Sequence, residues 1–358
     1  MKHSIKKRLI TLAATLGLAS SSLVSTAAIA EEKQSFTLAW SIYVGWMPWD
    51  YADYSGVVDK WADKYGIEID IVQVNDYIES INQYTTGQFD ATVMTNMDAL
   101  TIPAASGIDS TALIVGDFSN GNDGIVLKGN KGLADIKGQS VNLVELSVSH
   151  YLMARGLQSV GMSERDVKVV NTSDADLVAA FSTKDVTSVV TWNPLLSEIT
   201  TQPDTSLVFS SADIPGEIID LLVVNTDTLN DNPKLGKALT GAWYEIMAIM
   251  QSESDGDKAK SYMAQASGTD LPGYKAQLAA TNMFYSPSEA VSFTTSSKLA
   301  GTMQKVSEFS FEHGLLGDGA PDAGFIGIET PTGILGDPNN VKLRFSAEYM
   351  AMAADDKL

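Results

Sequence analysis

Cysteine is missing altogether from this 358-residue chain. That excludes a disulfide scaffold, a thiolate metal site, a cysteine nucleophile and a lipid-bearing cysteine at a processed N-terminus. Histidine is scarce: His3, His150 and His313 are the whole supply for triads or metal sites. No Gly-rich phosphate loop, paired-histidine helix or nucleophile elbow occurs. The stretch Gly317 to Asp322 lacks the alternating ligand spacing of a calcium loop and reads as a turn. No catalytic residue, metal or cofactor is therefore expected. Basic residues are also short, 24 against 44 acidic ones for a formal charge of −20, which excludes a nucleic-acid binder working by phosphate neutralisation. Past the N-terminus, no uncharged apolar run is long enough for a membrane span. With 44% hydrophobic residues, the chain can bury the cores of one large or two ordinary domains.

What is present begins with a targeting pattern. Lys2, Lys6, Lys7 and Arg8 precede the apolar stretch Leu9 to Leu18, and Ala28-Ile29-Ala30 supplies a small-x-small cleavage site. Residues 1–30 read as a cleavable signal peptide. Its removal leaves 20 basic against 44 acidic residues, a formal charge of −24. The mature protein is expected to be periplasmic, free in solution and monomeric.

Strand and helix patterns then alternate. Phe36, Leu38 and Trp40 have strand spacing; Tyr54, Val57, Val58, Trp61 and Tyr65 have helical spacing; Ile67 to Val74 and Phe89 to Met94 return to strand. The cycle restarts at Gly124 to Leu127 and runs through Ser140 to Val144, Val167 to Val170 and Val186 to Trp192, followed by Ile218 to Val224. This alternation predicts an α/β fold with mostly parallel sheets flanked by helices. Two lobes are expected: 31–123 with 218–358 as the first, and 124–217 inserted as the second. Gly314 to Asn340, rich in Gly, Pro and Asp, is expected to be irregular surface structure.

Ligands of open α/β sheets bind beyond the carboxyl ends of strands. The segments there are Trp40 to Tyr51, Thr95 to Asp98, Glu145 to His150, Thr191 to Pro194 and Pro215 to Asp220. Six of the fifteen residues from Trp40 to Tyr54 are aromatic. Trp40 and Tyr54 are expected in the core, while lining a cleft and simple burial stay open for Trp46 and Trp49. The five segments contain no Lys or Arg but carry Asp50, Asp98, Glu145, Glu217 and Asp220. An anion site needs a guanidinium, an ammonium or several helix N-terminal amides. Carboxylates with aromatic faces instead suit a cation, and a flat one with several N–H donors matches carboxylates through paired hydrogen bonds. Candidate acceptors are Asp50, Asp98, Glu145 and Glu217; candidate ring faces are Trp46, Trp49 and Trp192; Tyr43, Asn96, Ser147 and Asn193 would add neutral hydrogen bonds. His150 reads as structural.

Leu38 to Trp61, Gly87 to Ala91, Leu133 to Gly138 and Thr191 to Pro194 resemble the nitrate/sulfonate/taurine-type substrate-binding proteins of ABC transporters. The resemblance implies a two-lobed periplasmic-binding-protein fold of the second topological type, closing over a small solute for delivery to an inner-membrane permease. The loop Gly45 to Tyr51 and the stretch from Gly333 to Phe345 resemble the subgroup associated with urea-carboxylase-like enzymes, which implies urea or guanidine as ligand. Anion binders of the family carry basic residues in the cleft, and this sequence departs from them there.

Guanidinium and urea each have four heavy atoms, and a ceiling of about −1.5 kcal/mol per atom allows only about −6 kcal/mol before charge-assisted bonds are added. Guanidinium stays protonated and gains from carboxylates; urea is neutral and ranks second. Nitrate or a sulfonate, and an enzyme resembling those of pyrimidine-precursor synthesis, are the other readings.

Overall fold

The computed structural model describes residues 33–358, so the expected signal peptide lies outside the described residues. Among the described residues the strands fall into two sheets. The larger contains β1 (Ser35–Trp40), β2 (Glu68–Gln73), β3 (Ala91–Thr95) and β4 (Ser110–Ser119). The smaller contains β5 (Asp123–Lys128), β6 (Ser140–Leu143), β7 (Lys168–Asn171), β8 (Ser188–Trp192) and β9 (Thr205–Ser210). The chain then rejoins the larger sheet with β10 (Ile219–Asn225), β11 (Thr281–Met283), β12 (Gly327–Thr330), β13 (Gly333–Leu335) and β14 (Val341–Phe345). The orders are β13-β12-β14-β4-β10-β3-β1-β2, with β11 on β4, and β7-β6-β8-β5-β9.

Helices flank both sheets, as the alternating pattern predicts, and the class is α/β. The returning strand β10 is wedged antiparallel between β3 and β4. Buried on both sides, it reads Ile-Asp-Leu-Leu-Val-Val-Asn, an apolar run broken near its start by one acid. The corresponding break in β4 is Gly116-Asp117, after Leu113-Ile114-Val115.

Three expectations need correction. The sheets are mixed rather than mostly parallel, because each takes in a strand from a chain crossing: β10 runs antiparallel to β3 and β4, and β5 to β8 and β9. Tyr54 is 67% exposed rather than in the core; it stacks on Tyr262 at 4.1 Å between centroids, which covers one face and leaves the rest to water. The stretch Gly314 to Asn340 is not wholly irregular, because β12 and β13 form within it. Buried Ile328 on β12 lies beside buried Leu343 on β14, and that apolar pairing extends the sheet despite the turn residues around it.

Candidate functional site

Asp117 on β4 and Asp220 on β10 are direct cross-strand partners, and Thr95 on β3 is the next partner along the row. Residues opposed in this way project to the same side of a sheet, which brings the two carboxylates together. In the smaller sheet Asp123 and Trp192, on β5 and β8, form another cross-strand pair. Both sheets contribute to one cavity: Thr95 and Asp220 from the larger and Asp123 and Trp192 from the smaller, with Tyr43, Trp46 and Tyr77 as further walls.

Those aromatic walls are fixed by local structure. Tyr43 and Trp46 lie on the turn after β1, where the Trp46 and Met47 N–H groups both donate to the Tyr43 carbonyl. Pro48 then starts the helix Met47–Tyr54, where its missing N–H costs no hydrogen bond. The turn sets the two rings edge to face at 5.0 Å. Tyr77 opens the helix Tyr77–Thr85, capped by Asp76. Its hydroxyl donates to Asp98 at 2.6 Å and accepts from the Thr95 N–H at 3.0 Å. Asp98 thus stands behind the cavity and orients a wall.

Gly45 shows how closely this turn approaches the acids. A Cβ there would lie 2.5 Å from Asp117 Oδ2 and 2.6 Å from the Tyr43 ring. Gly45→Ala is therefore expected to displace both groups and weaken ligand binding at least tenfold, as read by calorimetry.

The cavity is electrostatically unusual. Asp98, Asp117, Asp123 and Asp220 are all buried, and no Lys or Arg lines the cavity among the described residues. Burial pushes the Asp117 carboxyl up to about 7; hydrogen bonds from Asp220 and Tyr43 resist this, and the charge of Asp123 adds to it. Asp123 is likewise raised to about 7, by burial opposed by Ser119 and reinforced by Asp98. Asp220 stands well above the usual carboxylate range, by burial and then the adjacent Asp117 charge. Asp98 is raised by burial to about 6 against hydrogen bonds from Tyr77, Thr95 and the Val148 backbone. Tyr43 is held well above its ordinary value by burial and the surrounding aspartates; it remains a phenol and donates to Asp117 Oδ1 at 3.4 Å. One oxygen each of Asp98, Asp117 and Asp220, and the indole nitrogen of Trp46, are buried without a hydrogen-bond partner. Buried carboxyl oxygens left without a partner are costly to fold around, and perturbed acids gathered at a cavity make it the candidate site.

Of the residues expected from sequence, the structure brings Tyr43, Trp46 and Trp192 to the cavity wall. Trp49 lies in an adjoining crevice shared with Asp117 and Asp220, packed on Trp243 at 5.3 Å. The others stand elsewhere. Asp50 is partly buried and meets Tyr262. Asn96 braces the return crossing by bonding the Glu217 carbonyl and the Ile219 N–H. Glu145 is exposed on a turn, its backbone N–H bonded to Asn171. Ser147 caps the helix Val148–Ser159, and Asn193 bonds Asn122 and Ser197. Glu217 is occupied by Arg155, Lys305 and Tyr151; they outweigh its burial and lower its carboxyl to about 2. Asp117, Asp123, Tyr77 and Thr95 were missed. The signal that could have found Asp117 is an acid embedded in an apolar strand, repeated at Asp220.

A second cluster, His150, Glu164 and His313, has the composition of a metal site. Its proton positions are those of a hydrogen-bonded clasp. His150 Nδ1 accepts the Leu146 N–H at 3.1 Å, so its ring proton is on Nε2 facing Glu164. His313 Nδ1 donates to the Phe309 carbonyl, and its Nε2 faces the other Glu164 oxygen. Glu164 raises the His313 pKa chiefly by hydrogen bonding, against burial.

A family profile described as NMT1/THI5 like matches residues 60–251, more than half of the chain. The chain belongs to the NMT1/THI5-like family. Solved structures share the fold. The alkanesulfonate-binding protein SsuA from Xanthomonas axonopodis pv. citri, bound to MOPS, superposes with a TM-score of 0.66 at 17% identity, covering 81% of this chain and 96% of that one. The periplasmic aliphatic sulphonate binding protein SsuA from Escherichia coli gives 0.65 at 17% identity over 86% and 97%. The periplasmic nitrate-binding protein NrtA from Synechocystis PCC 6803 gives 0.57 at 14% identity over 90% and 99%. The architecture is thus that of type II periplasmic binding proteins. A binding protein of Brucella abortus (strain 2308) is 30% identical over 101 residues, which span 28% of this chain and 31% of that relative. Among the described residues, no helix is long and apolar enough to cross a membrane.

Proposed function

We propose that this chain is the periplasmic solute-binding component of an ABC importer and that it captures guanidinium. The carrying observation is the trio Asp117, Asp123 and Asp220, all buried: Asp123 and Asp220 are on the aromatic cavity wall, Asp117 is in the adjoining crevice, and no basic residue lines either space among the described residues. A carboxylate 4 Å from an anion is repulsive by roughly 4 kcal/mol at an effective dielectric near 20. Once ionised, above the raised range in which they titrate, two or three such groups outweigh what neutral donors return, which counts against nitrate or a sulfonate there. The same groups attract a planar cation: its edge N–H pairs suit carboxylate oxygens, and its faces suit tryptophan at about 0.5–2 kcal/mol per ring.

Size supports the reading. The cavity leaves about 20 Å³ of room for the centres of water-sized groups, a small space. A solute of a few heavy atoms suits it. Urea has the shape but not the charge, and would leave the carboxylates uncompensated.

The proposed mechanism is lobe closure. Residues 31–123 with 218–358, and 124–217, are taken as the two lobes; Asp117 and Asp220 lie on the larger sheet, and Asp123, at the boundary between the lobes, begins β5 of the smaller one. A cation bridging Asp123 to Asp117 and Asp220 stabilises the closed form, which the permease then recognises. The role is binding rather than catalysis. Calorimetry on the mature protein against guanidinium chloride, urea, sodium nitrate and an alkanesulfonate tests the assignment. Guanidinium is expected to bind at micromolar concentration or tighter and urea far more weakly. Binding of nitrate or the sulfonate in preference to guanidinium overturns it.

A further inference from the structure

Trp192 has two sides. One lines the small acidic cavity, and the other lines a much larger space of about 660 Å³. The larger space runs between elements of both sheets: Ile42 and Thr269 come from segments flanking the larger sheet, Asp174 and Glu198 from helices of the smaller. No Lys or Arg lines it among the described residues. Burial and the nearby Asp76 charge raise the Asp174 carboxyl, so this outer chamber also favours positive charge.

The indole sits at the end of β8 and meets Tyr77 edge-on at 5.7 Å. Tyr77 belongs to the helix Tyr77–Thr85, which packs against β3 and β1 of the larger sheet. The partition between the two spaces is thus a contact between rings carried on opposite sides of the cavity. Trp192 itself is held from behind, because Asn193 is bonded to Asn122 and to the backbone of Ser197. Tyr77 is held by Asp98 and Thr95. Each ring is fixed to its own side, so separating the sides opens the partition and bringing them together closes it.

We infer that Trp192 is the residue that sets the ligand's size: it closes the acidic cavity behind an unsubstituted guanidinium and excludes guanidinium ions bearing an alkyl chain. This deepens the proposed function and rests on its reading of the cavity as a guanidinium site. With the indole removed, the small cavity and the outer chamber become one. An alkyl substituent can then extend outward while its head group stays on Asp123 and Asp220. The unsubstituted ion loses a ring face and its barrier to escape.

The test is calorimetry of guanidinium, methylguanidinium and N-propylguanidinium on the wild type, Trp192→Phe and Trp192→Ala, with circular dichroism and melting curves to establish folding. The wild type is expected to bind guanidinium and to reject N-propylguanidinium by at least a hundredfold. Trp192→Ala is expected to lose at least tenfold for guanidinium and to bind N-propylguanidinium better than the wild type does. Trp192→Phe, a shorter wall, is expected to fall between them and keeps the test open should the alanine variant not fold. Equal binding of guanidinium and N-propylguanidinium by the wild type overturns the size limit while leaving the acidic site standing. An unchanged preference in both variants does the same. No binding of any of the three ions by any of the proteins overturns the site and the inference together.

Discussion

Asp220→Asn is expected to weaken guanidinium binding by two to three orders of magnitude and, at the same time, to raise the melting temperature of the ligand-free protein. The two effects have one cause. Asp220 faces Asp117 across the β10–β4 ladder, both are buried, and one oxygen of each lacks a partner. Like charges placed directly opposite each other destabilise a sheet, and a buried carboxylate without compensation adds a desolvation cost. At pH 8 and above, where the cluster is driven to ionise, an amide of the same shape removes one charge from it and relieves both penalties, so the rise in melting temperature is read there. In the bound state the balance reverses. Taking away one partner of a buried ion pair costs about 3–5 kcal/mol, and the loss stated corresponds to the lower part of that range, about 3–4 kcal/mol. A purely structural role for Asp220 predicts the opposite signature, with a lower melting temperature. Glu145→Gln is the control: Glu145 is exposed on its turn and the change is expected to leave affinity unaltered. Calorimetry and thermal melts on the three proteins decide the matter. A variant that binds guanidinium normally would falsify the acidic-site reading.

The sequence made the architecture easy to read and the site only half so. Strand and helix alternate with distinct hydrophobic periods, so β1 to β3, the passage into the smaller sheet near Asp123 and the return near Ile218 are visible without coordinates. The aromatic turn after β1 is also visible, because five rings in the twelve residues Trp40 to Tyr51 are hard to leave in water. Charge placement is different, since it depends on long-range partners. Glu217 follows the same strand-end logic as a ligand carboxylate, yet its partners Arg155 and Lys305 lie 62 and 88 residues away and take it out of consideration. Asp117 falls inside β4 rather than after it, so strand-end logic does not reach it. A search confined to loops beyond strand ends misses an acid within a strand that is wedged against an antiparallel neighbour. Asp123 shows the same limitation from the other side. It begins β5, and only the β5–β8 pairing places it beside Trp192.

Affinity for guanidinium is expected to rise with pH through the range from about 6 to 8, by up to tenfold per unit for each carboxylate that gives up a proton on binding. In the free protein Asp117 and Asp123 are raised to about 7, mainly by burial, and Asp220 stands higher still through burial and its neighbour's charge. Below that range they hold protons, and the cation must displace one for each carboxylate it pairs with. Each proton released makes the binding constant rise tenfold per pH unit until the group is ionised in the free state too. The stability of the free protein runs the other way. An aspartate titrates near 3.9 in the unfolded chain, so the folded protein binds more protons between that value and about 7. The contribution of these groups is fully present below about 4 and is lost as pH rises through 7. Melting temperature should therefore fall from pH 5 to 8 without ligand, and millimolar guanidinium, far below denaturing concentrations, should restore it most at pH 8. The clasp between His313 and Glu164 offers a separate pH response. His313 is raised by its bond to Glu164, so the stabilisation from this contact is present below about 6.5 and fades as pH passes the raised value. His313→Gln separates the two: it should soften the stability profile and leave the rise of affinity with pH intact. Affinities that stay flat or decline between pH 6 and 8 in that variant would place the ligand's charge somewhere other than on these aspartates.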